Sequence, residues 1–239
     1  MKQKIRAAAA VVLMGALVFS GSKIWVETKA YRSESDLHKQ LLRLKPAPPD
    51  EAAPGASQGL PGLQGRNSDT VGWLTVPGTR IDYPFVRGPD NDFYLHRDFN
   101  GAYALAGTLF MDYRCAKDFS SKNTIIYGHH MKNGSMFGSL KKFQDKDFFA
   151  ANSGAVIYLP DKIYALELFA FLSARSDDAI LYTEAPDEGF LAYVKRNARQ
   201  YRDIGASAGD RFVTLSTCSY EFNNARMVLI GRIAESKEE

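Results

Sequence analysis

From Val71 onward the chain is a succession of short runs rich in β-branched and aromatic residues, cut by turn residues. That rhythm limits the fold more than any other feature. VGWLTVPGTRIDYPFV is punctuated by Pro77-Gly78 and Pro84, and GTLFMDY, NTIIYGHH, GAVIYLP, KIYALELFAFLSA, RFVTLSTC and RMVLIGRIA follow between polar turns. Runs of this length with such punctuation read as strands. Many short strands with few helical stretches predict a mostly-β core, closed or sandwiched.

Two segments break the pattern. SMFGSLKKFQDKDFFAA carries apolar residues near helical spacing. PDEGFLAYVKRNARQYRD places Phe190, Tyr193, Val194, Ala198 and Tyr201 on one helical face, with Pro186, Asp187 and Glu188 at its start. No internal repeat is present. At 239 residues, 45% hydrophobic and 24% charged, the composition is that of one substantial globular domain. The formal charge of +3, to which Lys2, Lys4 and Arg6 contribute, is too small to argue for nucleic acid.

The N-terminus is organised differently. Residues Ala7 to Val26 are apolar apart from Ser20, Ser22 and Lys23. A span needs about 20 residues, so the run suffices if Lys23 snorkels and Trp25 sits at the far interface. Basic residues ahead of it favour an N-terminus in the cytoplasm and the remainder outside. The rival is a cleaved signal peptide ending at small residues such as Ser20-Gly21-Ser22. Either way the remainder is exported. Residues 1–26 are thus expected to be an anchor, and 27–69 a polar stalk followed by a Pro-, Gly- and Ala-rich tether. The folded domain is expected from residue 70 to 239.

Export sharpens the question of the two cysteines, Cys115 and Cys218. Outside the cytoplasm a cysteine pair is often a disulfide. The spacing does not suggest a stapled scaffold, and a bridge between them is left open. Cys115 lies in DYRCAKDFSS, which reads as a loop, and Cys218 ends the run TLSTC. A strand-end cysteine is most often a small buried apolar residue. Among the four histidines, His38 falls in the stalk and His96 in a polar loop, while His129 and His130 follow NTIIYG. A vicinal pair without an acidic partner is a poor zinc signal, so neither metal nor cofactor is expected. A histidine just past a strand end is well placed as an exposed base. Cys218 and Arg226 offer what it lacks: a thiolate to attack acyl carbon and a permanent cation for the oxyanion.

TLSTC followed by a loop and Arg226, with NTIIYGHH upstream, resembles the sortases, cysteine transpeptidases of Gram-positive cell surfaces. VGWLTVPGTRIDYPFV, DNDFYLHRDFNG, GTLFMDYR, YGHHMKNGSMFGSL and the helical insertion before the cysteine strand resemble class B of that family. The resemblance covers Val71 to about Ile233 and implies a closed sortase-type β-barrel with helical insertions. It places the family's cysteine on Cys218, its histidine on His129 and its arginine on Arg226, with His130 non-catalytic. It also implies that Ser216 and Thr217, and more weakly Asn91, Leu95 and Tyr182, contact substrate. Cys115 departs from the family pattern.

The implied reaction cleaves a sorting signal after threonine, forms a thioester on Cys218 and passes the acyl group to an amine. The implied partners are surface proteins bearing sorting signals and an amine of peptidoglycan precursor or of a pilin lysine, at the outer face of the membrane. Three alternatives stay open. An exported cysteine peptidase would give the acyl group to water. An L,D-transpeptidase would need a histidine-glycine pair beside its cysteine, and none precedes Cys218. A non-catalytic adhesin would need none of the three residues.

Overall fold

The strand-rich segment closes on itself. In a computed structural model, which describes residues 2–47, 59–218 and 224–234, nine strands form one sheet in the order β5-β1-β2-β3-β4-β8-β9-β6-β7. These are β1 (Thr70–Thr75), β2 (Asp82–Val86), β3 (Leu109–Met111), β4 (Asn123–Tyr127), β5 (Gly154–Tyr158), β6 (Ile163–Arg175), β7 (Gln200–Tyr201), β8 (Phe212–Cys218) and β9 (Ala225–Ala234). A further pairing of β5 with β6 joins the ends, so eight strands make a barrel and β7 hangs on its side.

The 13-residue β6 makes closure possible. Along one edge it pairs with β9 from Ala165 to Arg175. Along the other, its first part pairs with β5 and its later part with β7. Closure leaves no barrel edge with a free row of backbone groups. Side chains such as Leu74, Phe85, Ile125, Phe169, Phe171, Leu215 and Leu229 are buried in one continuous core.

The expected strands all appear, and the VGWLTVPGTRIDYPFV run is the antiparallel β1–β2 hairpin. Gly78, at φ 74°, occupies a left-handed turn position that disfavours side chains. The first helical segment becomes a 3₁₀ helix, Phe137–Gln144, followed by α3, Lys146–Ala151. Asp145 separates them, its side chain accepting from Phe148 N–H as an N-cap.

The second helical segment corrects the expectation. Helix α4 spans Gly189–Asn197 and stops there. Ala198 is its extended C-cap, and Tyr201 lies in β7 opposite Ala170. Sheet bonds replace helical ones, with Arg199 N–H donating to Phe171 O and Arg202 N–H to Phe169 O. Ala198 and Tyr201 still pack on the core, so the apolar spacing was real although the backbone changed type.

The N-terminal third also differs. Helix α1 runs unbroken from Lys2 to Leu42, so the segments expected as anchor and stalk are one element. No helix among the described residues is long and apolar enough to cross a membrane. The end of α1 is no free stalk: Leu41 is buried, Leu37 and Leu44 pack beside it, and Lys45 pairs with Asp82 at 2.8 Å. The expected tether carries a short helix, α2 (Leu60–Arg66), whose Leu60 and Leu63 are 0% exposed beneath β1. Full burial of one such side chain contributes about 1.5–3 kcal/mol, which offsets part of the entropy lost in ordering seven residues that composition makes look unstructured. Residues 48–58 of that tether lie outside the described residues.

Candidate active site

The parallel pairing of β4 with β8 decides where the reactive residues gather. Its register sets Asn123 opposite Phe212 and Tyr127 opposite Ser216. The bonding continues one residue further, where Gly128 N–H donates to Ser216 O at 3.1 Å. Both strands therefore leave the barrel at the same end, β4 into Gly128-His129 and β8 into Thr217-Cys218. Strand β9 enters at that end antiparallel to β8, with Cys218 opposite Arg226. Directly opposed residues hold their Cβ atoms about 4.5–5.5 Å apart, so Arg226 is an immediate neighbour of the cysteine position. The side chain of Cys218 and residues 219–223 lie outside the described residues.

His129 is held at both backbone and ring. Its carbonyl accepts from Phe137 N–H at 3.0 Å, and Nε2 lies 2.6 Å from Leu95 O. A carbonyl only accepts, so Nε2 carries the proton and the neutral ring keeps its lone pair on Nδ1. Burial holds the His129 pKa below the usual imidazole value. The Leu95 carbonyl opposes this, while the charges of His96 and Arg226 add to it. The His96 ring centroid is 5.7 Å from that of His129.

Gly107 is what lets this contact form. It sits at φ 58°, and a Cβ there would come within 2.6 Å of Leu95 O, 2.8 Å of Tyr94 O and 3.1 Å of His129 Cδ2. Two of those atoms are backbone and cannot swing aside. Gly107→Ala is therefore expected to destabilise the domain by about 1–3 kcal/mol, from left-handed strain plus displacement of residues 94–95. Chemical denaturation of the variant checks this. An unchanged midpoint would show that the segment yields without cost.

Behind the strand ends lies a buried polar cluster. The Asp112 side chain is fully buried and accepts from Tyr127 Oη at 3.0 Å, Asn91 Nδ2 at 3.0 Å and Arg114 Nη2 at 2.8 Å. Burial raises the Asp112 pKa, but the hydrogen bonds from Arg114 and Asn91 and the Arg114 charge outweigh it, so the carboxyl sits below its usual range. Arg114 also donates to Tyr182 O at 2.9 Å, and the Tyr182 hydroxyl bonds Ser216 Oγ at 2.9 Å. Asn123 Nδ2 donates to Leu181 O and Thr183 O while its Oδ1 accepts from Thr214 Oγ1. The insertion before α4 is thereby pinned to β4 and β8.

The expected site residues distribute as follows. Backbone register brings His129, Cys218 and Arg226 to one end of three adjacent strands. Ser216 and Thr217 are 1% and 2% exposed, and Tyr182 is buried against Ser216. Leu95 meets His129 through its carbonyl. Both ends of the Asn91 amide are engaged, Nδ2 by Asp112 and Oδ1 by Tyr113 N–H. His130 pairs instead with Met136 across an isolated bridge. Cys115 is a free, buried thiol, so no disulfide joins it to Cys218. Its burial, the largest influence, pushes its pKa up to about 11. The cluster around Asp112 and Arg114, and the role of Gly107, were not anticipated. The only local signal was the closeness of Asp112 and Arg114 in GTLFMDYR.

Comparison with known proteins agrees with this arrangement. The family described as the sortase domain matches residues 74–234. "Sortase B" of Listeria monocytogenes serovar 1/2a (strain ATCC BAA-679 / EGD-e) is 37% identical over 231 residues, 93% of this chain and 94% of that protein. The crystal structure of sortase B from B. anthracis matches with a TM-score of 0.76 at 30% identity, covering 87% of this chain and all, 100%, of that one. A Streptococcus pyogenes class B sortase involved in pilus biogenesis matches with a TM-score of 0.69 at 35% identity, covering 73% of this chain and 97% of that one.

Proposed function

Because the chain belongs to the sortase family, in its class B branch, we propose that it cleaves a sorting signal after threonine and transfers the acyl group to an amine at the cell surface. The observation that carries this reading is the strand register, which puts Cys218 opposite Arg226 and sends β4 into His129 at the same end.

In the proposed mechanism the Cys218 thiol gives its proton to the neutral His129 ring at Nδ1, and the thiolate so formed attacks the threonine carbonyl. The C–S bond forms as the carbonyl oxygen becomes an oxyanion, which Arg226 stabilises with a permanent charge and directed donors. Collapse breaks the C–N bond. The departing amine takes a proton from His129, and the thioester remains. With Nε2 committed to Leu95, the atom that exchanges protons is Nδ1. An incoming amine then attacks the thioester, His129 Nδ1 takes its proton, and the thiolate is released. A nearby cation also favours thiolate over thiol, which at a free pKa of about 8.5 would be mostly protonated.

We assign peptidoglycan precursor as the acceptor. A pilin lysine is the second reading, favoured by the likeness to the S. pyogenes class B sortase involved in pilus biogenesis. The N-terminal segment is proposed to hold the enzyme at the outer membrane face, supported by the exposed Leu13, Leu17, Val18 and Phe19 of α1.

A sorting peptide incubated with enzyme, with and without an added small amine, tests the reading. An amide product and faster turnover with amine are expected. Release of free acid at a rate indifferent to amine would make the protein a peptidase. Parallel reactions with a glycine-type amine and a lysine side-chain amine separate the two acceptors.

A further inference from the structure

Met136 is a buried non-glycine residue at φ 48°, ψ −129°, a backbone conformation outside the ordinary regions. Such residues persist only where their surroundings over-determine them, and they collect at functional sites. Met136 sits at the closing end of the loop that begins at His129. His130 bridges it, and the next residue, Phe137, donates its N–H to His129 O.

Two elements hold the strained position from outside. Met136 N–H donates to Tyr83 Oη at 3.3 Å, and Tyr83 O–H donates to Glu34 Oε1 at 3.1 Å. Tyr83 belongs to β2 and Glu34 to α1. The chain of donors therefore runs from the histidine loop, across the barrel wall, to a carboxylate on the N-terminal helix. Hydrogen bonds in series polarise one another, and a carboxylate at the end strengthens those before it. His38, one turn along α1, packs against the Tyr83 ring at a tilt, with centroids 4.2 Å apart. From the other side Arg80 donates to Asn133 O within the loop and faces Glu34 and Tyr83 electrostatically. The buried Ser135 lies near Glu34 in the same cluster.

We infer that Glu34 and Tyr83 are positioning residues for His129, so that α1 supports the reactive end of the barrel through the Met136 turn as well as leading to the N-terminus. This rests on the acyl-transfer reading above. Without the Tyr83 hydroxyl, Met136 N–H is left buried and unpaired, and the strained turn is free to relax. The Phe137 amide that fixes the His129 carbonyl would move with it. The ring would then lose its alignment, while Asn91, Tyr182 and Ser216, expected to contact substrate, keep hydrogen bonds that do not pass through this chain of donors.

The test uses the full chain and three variants. Tyr83→Phe and Glu34→Leu are each expected to lower kcat about tenfold, the size of a misplaced catalytic group rather than a missing one, with KM for the sorting peptide changed less than about twofold. Glu34→Gln, whose amide oxygen still accepts, is expected to recover most of the loss. In parallel, the His129 ring is followed by NMR through its own pH titration, and its midpoint should shift in Tyr83→Phe and Glu34→Leu. Variants that melt earlier yet keep both kcat and the His129 titration would overturn the inference and leave the contact purely structural. If the wild-type chain transfers no acyl group, the function reading fails. The titration then decides the positioning claim alone.

Discussion

Cys218→Ala is expected to remove turnover entirely, a loss of at least about 10⁴-fold, because no other group here can form the acyl intermediate. Fold should survive. Cys218 is paired with Arg226 through the backbone, and that pairing does not depend on the side chain. Intact mass after incubation with a sorting peptide reads the result directly: an acyl adduct on the wild type and none on the variant. Cys115 supplies an internal control. It is 0% exposed, and burial raises its pKa to about 11, so it should resist alkylation at neutral pH while Cys218 reacts. Cys115→Ala should retain activity and lose some stability. A Cys218→Ala enzyme that still cleaves at the wild-type rate would sink the nucleophile assignment.

His129→Ala should lose about 10²–10⁴-fold, the usual scale of general acid–base catalysis, and His130→Ala far less. The two residues are adjacent but differently employed. His129 presents Nε2 to Leu95 O, and His130 turns into the bridge with Met136. Equal, severe losses at both would point to a shared site. The pH dependence has a definite sign. Burial, and the charges of His96 and Arg226, hold the folded pKa of His129 below its ordinary value of about 6.5. The ring should therefore remain neutral below pH 6.5, and the acid limb of activity that reports it should fall at lower pH than for a free imidazole. Linkage runs the same way: between the two pKa values the unfolded chain binds more protons. This histidine's contribution to stability is thus lost as pH falls from about 6.5 towards the folded pKa. Arg226→Ala should move the titration upward, since it removes one of the depressing charges.

Much of the secondary structure was legible along the chain. Each β-rich run became a strand, and the turn at Pro77-Gly78 became a hairpin. The misreadings share one cause. Tyr201 keeps its place on the core although α4 ends at Asn197, because backbone bonds to Phe169 and Phe171 were available only once β6 lay alongside. Leu60 and Leu63 were hidden in a Pro- and Gly-rich stretch whose average composition promises disorder. Two leucines three apart gain burial there only because β1 offers a surface to cover them.

The reactive groups themselves belong to the sequence. A thiol, an imidazole and a guanidinium have chemistry that no fold alters in kind, and the strand-end positions of Cys218 and His129 follow from local pattern. Their meeting does not. Strands β4 and β8 pair in parallel although most of the barrel's chain lies between them, and a parallel pair leaves no turn signal in the residues that form it. The same holds for Gly107 against Leu95 O, and for Asp112 beneath Tyr127 and Asn91. Local propensity acts over a few residues, whereas these contacts join segments whose proximity is decided by how the strands pair and pack. The pairing of β8 with β4 on one side and β9 on the other brought the base, the cysteine strand and the arginine to one rim.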